Sequence, residues 1–409
     1  MSESKQKKVV ITGTGVISSL GNSPEQLFVA LREGLSGVRR MDTWEYLDGL
    51  STLLGAPACD YDSKLIPRSA RRTMSRMSEM ATLATKQALA DANLTDINGP
   101  RTLISLGSTT GSPDTFEQYF TKYAKRNGPS GQLSTSFFKM MNHSVSSNVA
   151  TALNYFGPQL SVSSACATST QAAVAGWQLI SSGVYDVVIA GGADELHHTS
   201  AAIFDNVHAA STNFNDRPDL APRPFDKDRD GLVVSEGAGI LILESEEHAL
   251  ARGAAIQGYI SGGAYFCDGS HMSQPQIGGM VTTMKRALEV SQINSTDIDY
   301  VNAHGTGTKL GDYREAMATG EVFGEKTPVS SIKGHLGHSL AACGGIEIIS
   351  CIKMMQENTL IPTRNLETTD PEISGINLLK HSIEGTYKNI MSNSFAFGGM
   401  NASIVIAGK

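Results

Sequence analysis

The sequence predicts an α/β protein in which helices cover both faces of the β-sheets. Short apolar runs rich in β-branched residues alternate with helical stretches along the 409 residues, as in sheets that are buried on both sides. Many of the 41 glycines come directly after these runs, where a functional site needs close approach of the backbone. Hydrophobic residues make up 40% of the chain and charged residues 18%, so the composition is that of a globular protein.

The individual elements follow one another in a clear order. Ser23 precedes Pro24 and Glu25, a pattern typical of a capped helix start. The glycines at 13–15 are predicted to form a turn, and those at 191–192 to end a strand. Strands are predicted at 9–11, 101–105, 186–190, 239–243 and 402–407, and helices at 23–32, 78–92, 171–180, 244–252 and 339–346.

A weak internal repeat suggests that the chain consists of two related halves. The run Val-Ser-Ser at 162–164 leads to Cys166, and the same run at 329–331 leads to Lys333. In both cases a reactive side chain follows four residues after the valine. The charged connector near 250–255 is the natural boundary, which predicts a first half at 1–252 and a second at 253–409.

The bulk properties exclude several classes of protein. The formal net charge of −7 argues against non-specific binding to nucleic acid. No apolar run approaches the ~18 residues of a membrane span, and the polar start does not look like a secretory signal, so we expect a cytoplasmic protein away from membranes. The five cysteines form no CxxC pair, so neither a disulfide framework nor a zinc site is indicated.

Cys166 is the candidate nucleophile. It follows a strand and a turn of small residues, and a predicted helix begins shortly after it. Free N–H groups and the positive end of the helix dipole stabilise a thiolate at such a position. The same N–H groups can stabilise the oxyanion that forms when the thiolate attacks a thioester. The alternative is a buried structural cysteine, which is the default for the other four.

Two histidines are the candidate partners of this thiol. His304 ends a strand and enters a Gly/Thr-rich turn that carries Thr306 and Thr308, a location where ligand sites of α/β sheets gather. His338 lies in a second glycine-rich turn, three residues after His335. A metal site at this spacing lacks a carboxylate or third ligand in a matching pattern, so we expect no metal. The other histidines, including the pair at 197–198, are expected to have ordinary core or surface roles.

A cysteine with two histidines fits two reactions. A hydrolase needs a base that activates water. A decarboxylating condensation needs two neutral imidazoles that donate to a thioester carbonyl on which an enolate develops. Two histidines on separate turns fit the second reaction better. Near the C-terminus, the glycine-rich loop 393–401 is either a hairpin with two packed phenylalanines or a mobile gate beside the nucleophile.

In their order along the chain, these motifs resemble the beta-ketoacyl-acyl-carrier-protein synthases of type II fatty acid synthesis, which belong to the thiolase superfamily. The resemblance covers nearly the whole chain. Ser164-Ala165-Cys166 and the segment 247–253 place it nearest the type I elongation enzymes. The matching motifs are Val9-Val-Ile-Thr-Gly-Thr-Gly-Val16, Ser163-Ser-Ala-Cys-Ala-Thr-Ser169, Arg223-Pro-Phe-Asp226, Arg229-Asp-Gly231, His304-Gly-Thr306, Gly337-His338, Asn393-Ser-Phe395 and Phe397-Gly-Gly399.

The resemblance implies a duplicated thiolase-like fold with five layers, αβαβα, and two mixed sheets. It also implies a role for each matching residue. Cys166 accepts the acyl chain, and His304 and His338 promote decarboxylation of malonyl thioester. The remaining implied roles are an active-site lysine at Lys333, an acidic network at Asp312 and Glu315, pantetheine contacts at Thr306 and Thr308, and a gate with an oxyanion-hole N–H at Phe397.

The implied partners are acyl carrier protein and its malonyl and acyl thioesters. No cofactor is implied beyond the carrier's 4'-phosphopantetheine arm. A homodimer is expected, and a heterodimer with a chain-length partner is the alternative. An acidic carrier needs a basic patch on this acidic protein, and the residues that match one are Arg68, Arg72, Lys125 and Arg126.

Several departures from the family pattern bear on the substrate. The turn after the first histidine reads Thr306-Gly307-Thr308 instead of Thr-Ser-Thr, His335 is additional, and Ala396 and Met400 alter the gate. A specialised ketosynthase of a polyene or secondary-lipid pathway is therefore the alternative function. A non-catalytic chain-length subunit would lack the cysteine, and a thiolase would carry a second one in the loop 393–401.

Overall fold

The β-strands fall into two groups, one in each half of the chain. The computed structural model describes residues 6–409. Residues 1–5, which fall in the predicted first half, lie outside the described residues. Up to residue 252 the strands are β1 Val9–Ile17, β2 Arg39–Arg40, β3 Leu54–Ala56, β4 Thr102–Gly107, β5 Gln159–Leu160, β6 Val187–Asp194, β7 Val234–Ser235 and β8 Gly237–Ser245. The later strands are β9 Gly258–Cys267, β10 Tyr300–Asn302, β11 Pro328–Ser330, β12 Thr359–Leu360, β13 Asn377–Leu378, β14 Ile383–Glu384, β15 Asn389–Phe395 and β16 Met400–Ala407.

Helices connect these strands. Before residue 252 they are α1 Pro24–Arg32, α2 Arg68–Arg71, α3 Arg76–Asp91, α4 Pro113–Arg126, α5 Phe137–Met140, α6 Ser144–Ala152, α7 Thr168–Ser181, α8 His198–Asn206 and α9 Glu246–Ala251. The later helices are α10 Ile277–Ser291, α11 Lys309–Phe323, α12 Lys333–Leu336 and α13 Cys343–Gln356. Short 3-10 helices lie at Asp42–Trp44, Ser63–Leu65, Ser134–Ser136, Pro218–Leu220, Ser295–Asp297, Leu340–Ala342 and Phe397–Gly399. Among the described residues, none of the helices combines the length and the apolar character needed to cross a membrane.

Eleven strands are hydrogen-bonded in the order β13-β11-β10-β15-β16-β9-β1-β8-β6-β4-β5. Each half of this order is mixed, with parallel and antiparallel neighbours. The halves meet where β1 pairs with β9 over three residues, Val9 to Ile11. The two predicted mixed sheets are therefore present and are joined by this short pairing. Two smaller sheets contain β12-β14 and β2-β3-β7.

The helices form three layers around the two sheets. α7 and α13 lie between the sheets, and their buried side chains share one core cluster with strands of both. α3 covers the outer face of the first sheet, and α10 covers that of the second with α11 packed against it. The layer order αβαβα confirms the fold implied by the resemblance.

The predicted turn at 13–15 and the predicted strand end at 191–192 are both wrong, because these glycines lie inside strands. β1 continues through 13–15 to Ile17, and β6 continues through 191–192 to Asp194. A Cβ on Gly13 would lie 2.2 Å from the Ala88 carbonyl oxygen, and one on Gly15 would lie 1.9 Å from that of Ala84. These glycines therefore allow α3 to lie directly on β1, and they do not turn the chain.

The predicted helices are present with shifted ends. Ser23 caps α1, since its side chain accepts from the Gln26 N–H. The stretches 78–92 and 171–180 correspond to α3 and α7, and only Glu246–Ala251 of the charged connector is helical. The predicted helix 339–346 is a 3-10 turn followed by the longer α13. The strand before the candidate nucleophile is β5, which ends at Leu160.

Candidate active site

Cys166 lies between β5 and α7, two residues before the first residue of that helix. Ala165 has a left-handed φ of 47°, which turns the chain so that the thiol reaches a cavity. The side chain is 6% exposed, and burial raises the pKa of the Cys166 thiol to about 12. The Lys333 charge and the backbone N–H groups of Cys166 and Phe397 act in the opposite direction, because they favour the thiolate.

His304 and His338 lie beside this thiol. The three side chains place their ligand atoms within 4.8 Å of one another, and the two imidazole rings meet edge to face with centroids 5.2 Å apart. Both histidines are buried, and desolvation lowers their pKa values well below 6.5, with the Lys333 charge acting in the same direction. Both imidazoles are therefore neutral at neutral pH.

Backbone contacts set the tautomer of His338. The Leu340 N–H donates to His338 Nδ1 at 3.2 Å, so the proton of the neutral ring is on Nε2. Among the described residues, neither His338 Nε2 nor the buried Nδ1 of His304 has a hydrogen-bond partner. Buried polar atoms without a partner are rare. Their presence beside a nucleophile indicates that a bound substrate supplies the partner.

Asp312 and Glu315 hold the turn that carries His304. Glu315 accepts from the N–H groups of His304 and Gly305 at 2.7 and 2.6 Å. Asp312 accepts from the N–H of Thr306 at 2.9 Å and also from residues 225 and 307. Burial raises the pKa of Glu315 to about 8, and these N–H groups oppose the shift. The two carboxylates fix the position of the imidazole through the backbone.

Lys333 forms a buried ion pair that our reading of the sequence missed. Its ammonium group contacts the carboxylate of Glu347, and both side chains are 2% exposed. Burial lowers the pKa of Lys333, but the pairing outweighs this effect and raises it. Glu347 lies on α13 among apolar residues, and an isolated carboxylate in such a run was the available signal.

A cavity of about 630 Å³ leads from the surface to the three side chains. Thr306 and Thr308 line it, with their hydroxyls 3.0 Å apart. Phe397 also lines it, and its ring lies 5.5 Å from that of Phe204 on α8. The structure therefore places Cys166, both histidines, both threonines and Phe397 around one cavity.

The C-terminal loop is both a hairpin and part of the cavity wall. β15 and β16 pair antiparallel, and the Ala396 N–H donates to the Met400 carbonyl at 2.7 Å across the turn. Gly398 and Gly399 adopt left-handed φ values of 82° and 70°. The hairpin is therefore present and lies beside the nucleophile, and the gate stays a prediction.

His335 lies apart from these groups. It is buried, and its two ring nitrogens are each 3.2 Å from a backbone carbonyl oxygen, of Leu35 and of Pro362. Burial lowers the pKa of His335 to about 4. The additional histidine therefore braces two loops outside the cavity wall.

The four residues of the expected basic patch are exposed and lie outside the cavity wall. Arg68 and Arg72 lie at the two ends of the α2 turn, and Lys125 and Arg126 lie in the last turn of α4. The two pairs belong to different elements.

Comparison with known proteins identifies the family. Residues 6–249 match the N-terminal domain of beta-ketoacyl synthase, and residues 257–367 match its C-terminal domain. The chain belongs to the beta-ketoacyl synthase family.

Individual relatives agree with this assignment. The chain is 39% identical over 407 residues to 3-oxoacyl-[acyl-carrier-protein] synthase 1 of Escherichia coli K12, covering 98% of each protein. A crystal structure of a beta-ketoacyl synthase from Burkholderia phymatum superposes with a TM-score of 0.95 at 40% identity, covering 98% of this chain and all of that one. The ishigamide ketosynthase/chain length factor superposes with a TM-score of 0.91 at 30% identity, covering 99% and 100% of the respective chains.

Proposed function

We propose that this protein joins a Cys166-bound acyl chain to malonyl-acyl carrier protein in a decarboxylative Claisen condensation. The product is a beta-ketoacyl-acyl carrier protein two carbons longer, as in fatty acid biosynthesis. The observation that carries the proposal is the meeting of Cys166, His304 and His338 within 4.8 Å in one cavity. The family membership and the relative that is a 3-oxoacyl-[acyl-carrier-protein] synthase support it.

The first half-reaction loads the thiol. Because burial disfavours the thiolate, the proton of Cys166 moves to a neighbouring imidazole nitrogen as sulfur attacks the acyl thioester. The N–H groups of Cys166 and Phe397 hold the oxyanion. The tetrahedral adduct then expels the carrier's thiolate, which takes up the proton, and leaves the acyl group on Cys166.

The second half-reaction forms the carbon–carbon bond. Neutral His304 and His338 donate hydrogen bonds to the malonyl thioester carbonyl, which stabilises the enolate left when carbon dioxide departs. The enolate carbon attacks the acyl carbonyl on Cys166, and the carbon–sulfur bond breaks. The released Cys166 thiolate takes up one proton from solvent water, so each condensation consumes one proton.

The other site residues support these steps. Asp312 and Glu315 keep the His304 turn in place, and Lys333, paired with Glu347, sets the positive potential at the thiol. Thr306 and Thr308 offer hydroxyls to the amides of the carrier's 4'-phosphopantetheine arm, which is the only carrier of substrate in the proposal.

The acyl carrier protein docks, in this proposal, on a surface that includes Arg68, Arg72, Lys125 and Arg126. Exposed basic side chains attract an acidic partner even though the net charge of this chain is −7. We propose a cytoplasmic homodimer in which each chain contains halves at 1–252 and 253–409. The two sheets and the shared helix layer support that division.

A specialised ketosynthase of a polyene or secondary-lipid pathway is the second candidate. The similarity to a ketosynthase/chain length factor structure and the altered gate at Ala396 and Met400 favour it. The reaction would be the same, and a heterodimer with a chain-length partner would replace the homodimer. The present chain would be the catalytic member, since it carries Cys166 and both histidines.

Intact-mass analysis tests the proposal. Acyl carrier proteins loaded with chains of several lengths are added first, and malonyl-acyl carrier protein follows. We expect an acyl adduct on the wild type, none on Cys166→Ala, and a product two carbons longer after malonyl addition. An equal adduct on Cys166→Ala, or an adduct that is hydrolysed without elongation, would overturn it. The range of accepted chains separates the two candidate pathways.

A further inference from the structure

A second cluster of metal-ligating side chains lies outside the candidate active site. It contains Glu117 in α4, His197 at the N-cap of α8 and His198 at the first position of α8. One ligand atom from each lies within 4.8 Å of the other two. No local sequence pattern predicts this cluster, because the carboxylate and the histidines are far apart in the chain.

The distances suit a single bound ion. Glu117 Oε2 lies 3.4 Å from His197 Nε2 and 3.3 Å from His198 Nε2. Metal–ligand bonds of about 2.0–2.2 Å in a tetrahedral site separate neighbouring ligand atoms by about 3.4 Å. The two imidazole rings lie side by side, tilted at 34° with their centroids 4.0 Å apart.

The surroundings hold the two imidazoles in place. The side chains of His197 and His198 are 11% and 15% exposed. The Thr199 hydroxyl lies 2.8 Å from His197 Nδ1, which fixes the ring with Nε2 toward Glu117.

We propose that Glu117, His197 and His198 bind a divalent transition-metal ion of the Zn²⁺ class, which joins α4 to α8. Two imidazoles and one carboxylate are ligands that Zn²⁺ accepts, and water completes the coordination. α8 also carries Phe204, which contacts the gate residue Phe397. The ion therefore stiffens the helix against which the gate packs.

Metal titration of the full-length, tag-free protein tests this proposal. After removal of metal with a chelator, Zn²⁺ binding is measured by calorimetry and Co²⁺ binding by visible absorption. We expect one ion per chain, bound at least tenfold more weakly by His198→Gln and by Glu117→Gln. The exposed His381→Gln is the matched control and should bind like the wild type. Absence of stoichiometric binding, or unchanged binding in both variants, would overturn the proposal.

The trio at Cys166 is a competing metal site, and the test separates the two. Binding should persist in Cys166→Ala, and the Co²⁺ spectrum should lack the charge-transfer band of a thiolate ligand. Loss of binding in Cys166→Ala would instead place the ion at the candidate active site and sink the proposal. Zn²⁺ should raise the Tm of the wild type but not that of His198→Gln, which controls for misfolding of the variant.

Discussion

At the scale of single residues, buried charges hold the candidate site in its shape. Lys333 and Glu347 lie between the two sheets with almost no access to solvent. Each charge depends on the other, because an unpaired buried charge has no water to stabilise it. The pair therefore links the segment that carries His338 to α13.

Removal of one partner should be costly. We expect Glu347→Gln to lower the free energy of unfolding by about 3–5 kcal/mol, since it leaves the Lys333 charge unpaired. The matched control is Glu321→Gln, which removes an exposed ion pair with Lys285 and should cost less than about 1 kcal/mol. Urea unfolding of both variants measures the difference, and equal losses would contradict the buried-pair argument.

His335 should make stability depend on pH. Its pKa is lowered from 6.5 to about 4 in the folded protein, so the unfolded chain takes up a proton first as the pH falls. Its contribution to stability is therefore complete above 6.5 and is lost as the pH falls toward 4. The expected loss is about 3 kcal/mol, from ~1.4 kcal/mol per unit of pKa shift.

The comparison of wild type with His335→Gln isolates the contribution of His335 to the pH dependence of stability. Urea unfolding at several pH values should show the stability advantage of the wild type shrinking between pH 6.5 and about 4. The exposed His381→Gln should show a constant difference from the wild type over the same range. A wild-type advantage that is independent of pH would show that folding does not lower the pKa of His335.

The sequence predicted some of these residues and not others, for a physical reason. Cys166, His304 and His338 each lie in or next to a turn of small residues, so their local context marks them as candidate site residues. Glu347 has no such context, because it acts on a lysine of a different element. The roles assigned to the site residues stay predictions.

At the scale of elements, glycine positions decide how closely the layers pack. Gly345 on α13 faces Gly239 on β8, and an added Cβ would lie 2.5 Å from the Gly239 carbonyl oxygen. The same feature explains why the predicted turn in β1 and the predicted strand end in β6 are wrong. A glycine after an apolar run predicts a turn or a close contact equally well, and only the neighbour's position separates the two.

Gly345→Ala should therefore destabilise the protein. Overpacking against β8 should lower the free energy of unfolding by about 1–3 kcal/mol, even after the better helix propensity of alanine is included. Gly278→Ala in α10 is the matched control, because a Cβ there meets no atom within 4 Å. The free energy of unfolding of Gly278→Ala should rise by up to about 1 kcal/mol. Denaturant unfolding measures both, and a stabilised Gly345→Ala would show that α13 can move away from the sheet without cost.

At the scale of the whole molecule, the layer order was predictable and the joining of the sheets was not. Alternating strands and helices predicted covered sheets, and the resemblance supplied the five layers. The strand pairing that joins the sheets consists of three residue pairs of β1 and β9. The paired residues are about 250 positions apart in the chain. No local pattern encodes such a pairing, because it depends on where both complete halves come to lie.

The proposed homodimer should form along the free edge of β5. This strand ends the eleven-stranded sheet, and both of its residues are exposed. Phe137, Phe138 and Phe156 are also exposed large apolar residues of this half, at 58%, 53% and 83%. Uncovered sheet edges tend to pair with another chain. A second copy related by twofold symmetry would extend the sheet and cover apolar surface.

A charge on this edge should separate the copies. In a twofold interface every substitution meets its own copy, so Leu160→Asp places two carboxylates near each other. We expect light scattering after size exclusion to show twice the chain mass for the wild type and a concentration-dependent shift toward the monomer for Leu160→Asp. Tyr46→Asp places a carboxylate on another exposed side chain, 77% against 40% for Leu160, in the turn after the first 3-10 helix, and should leave the mass unchanged. A monomeric wild type, or a dimer that both variants leave intact, would show that this edge is not the interface.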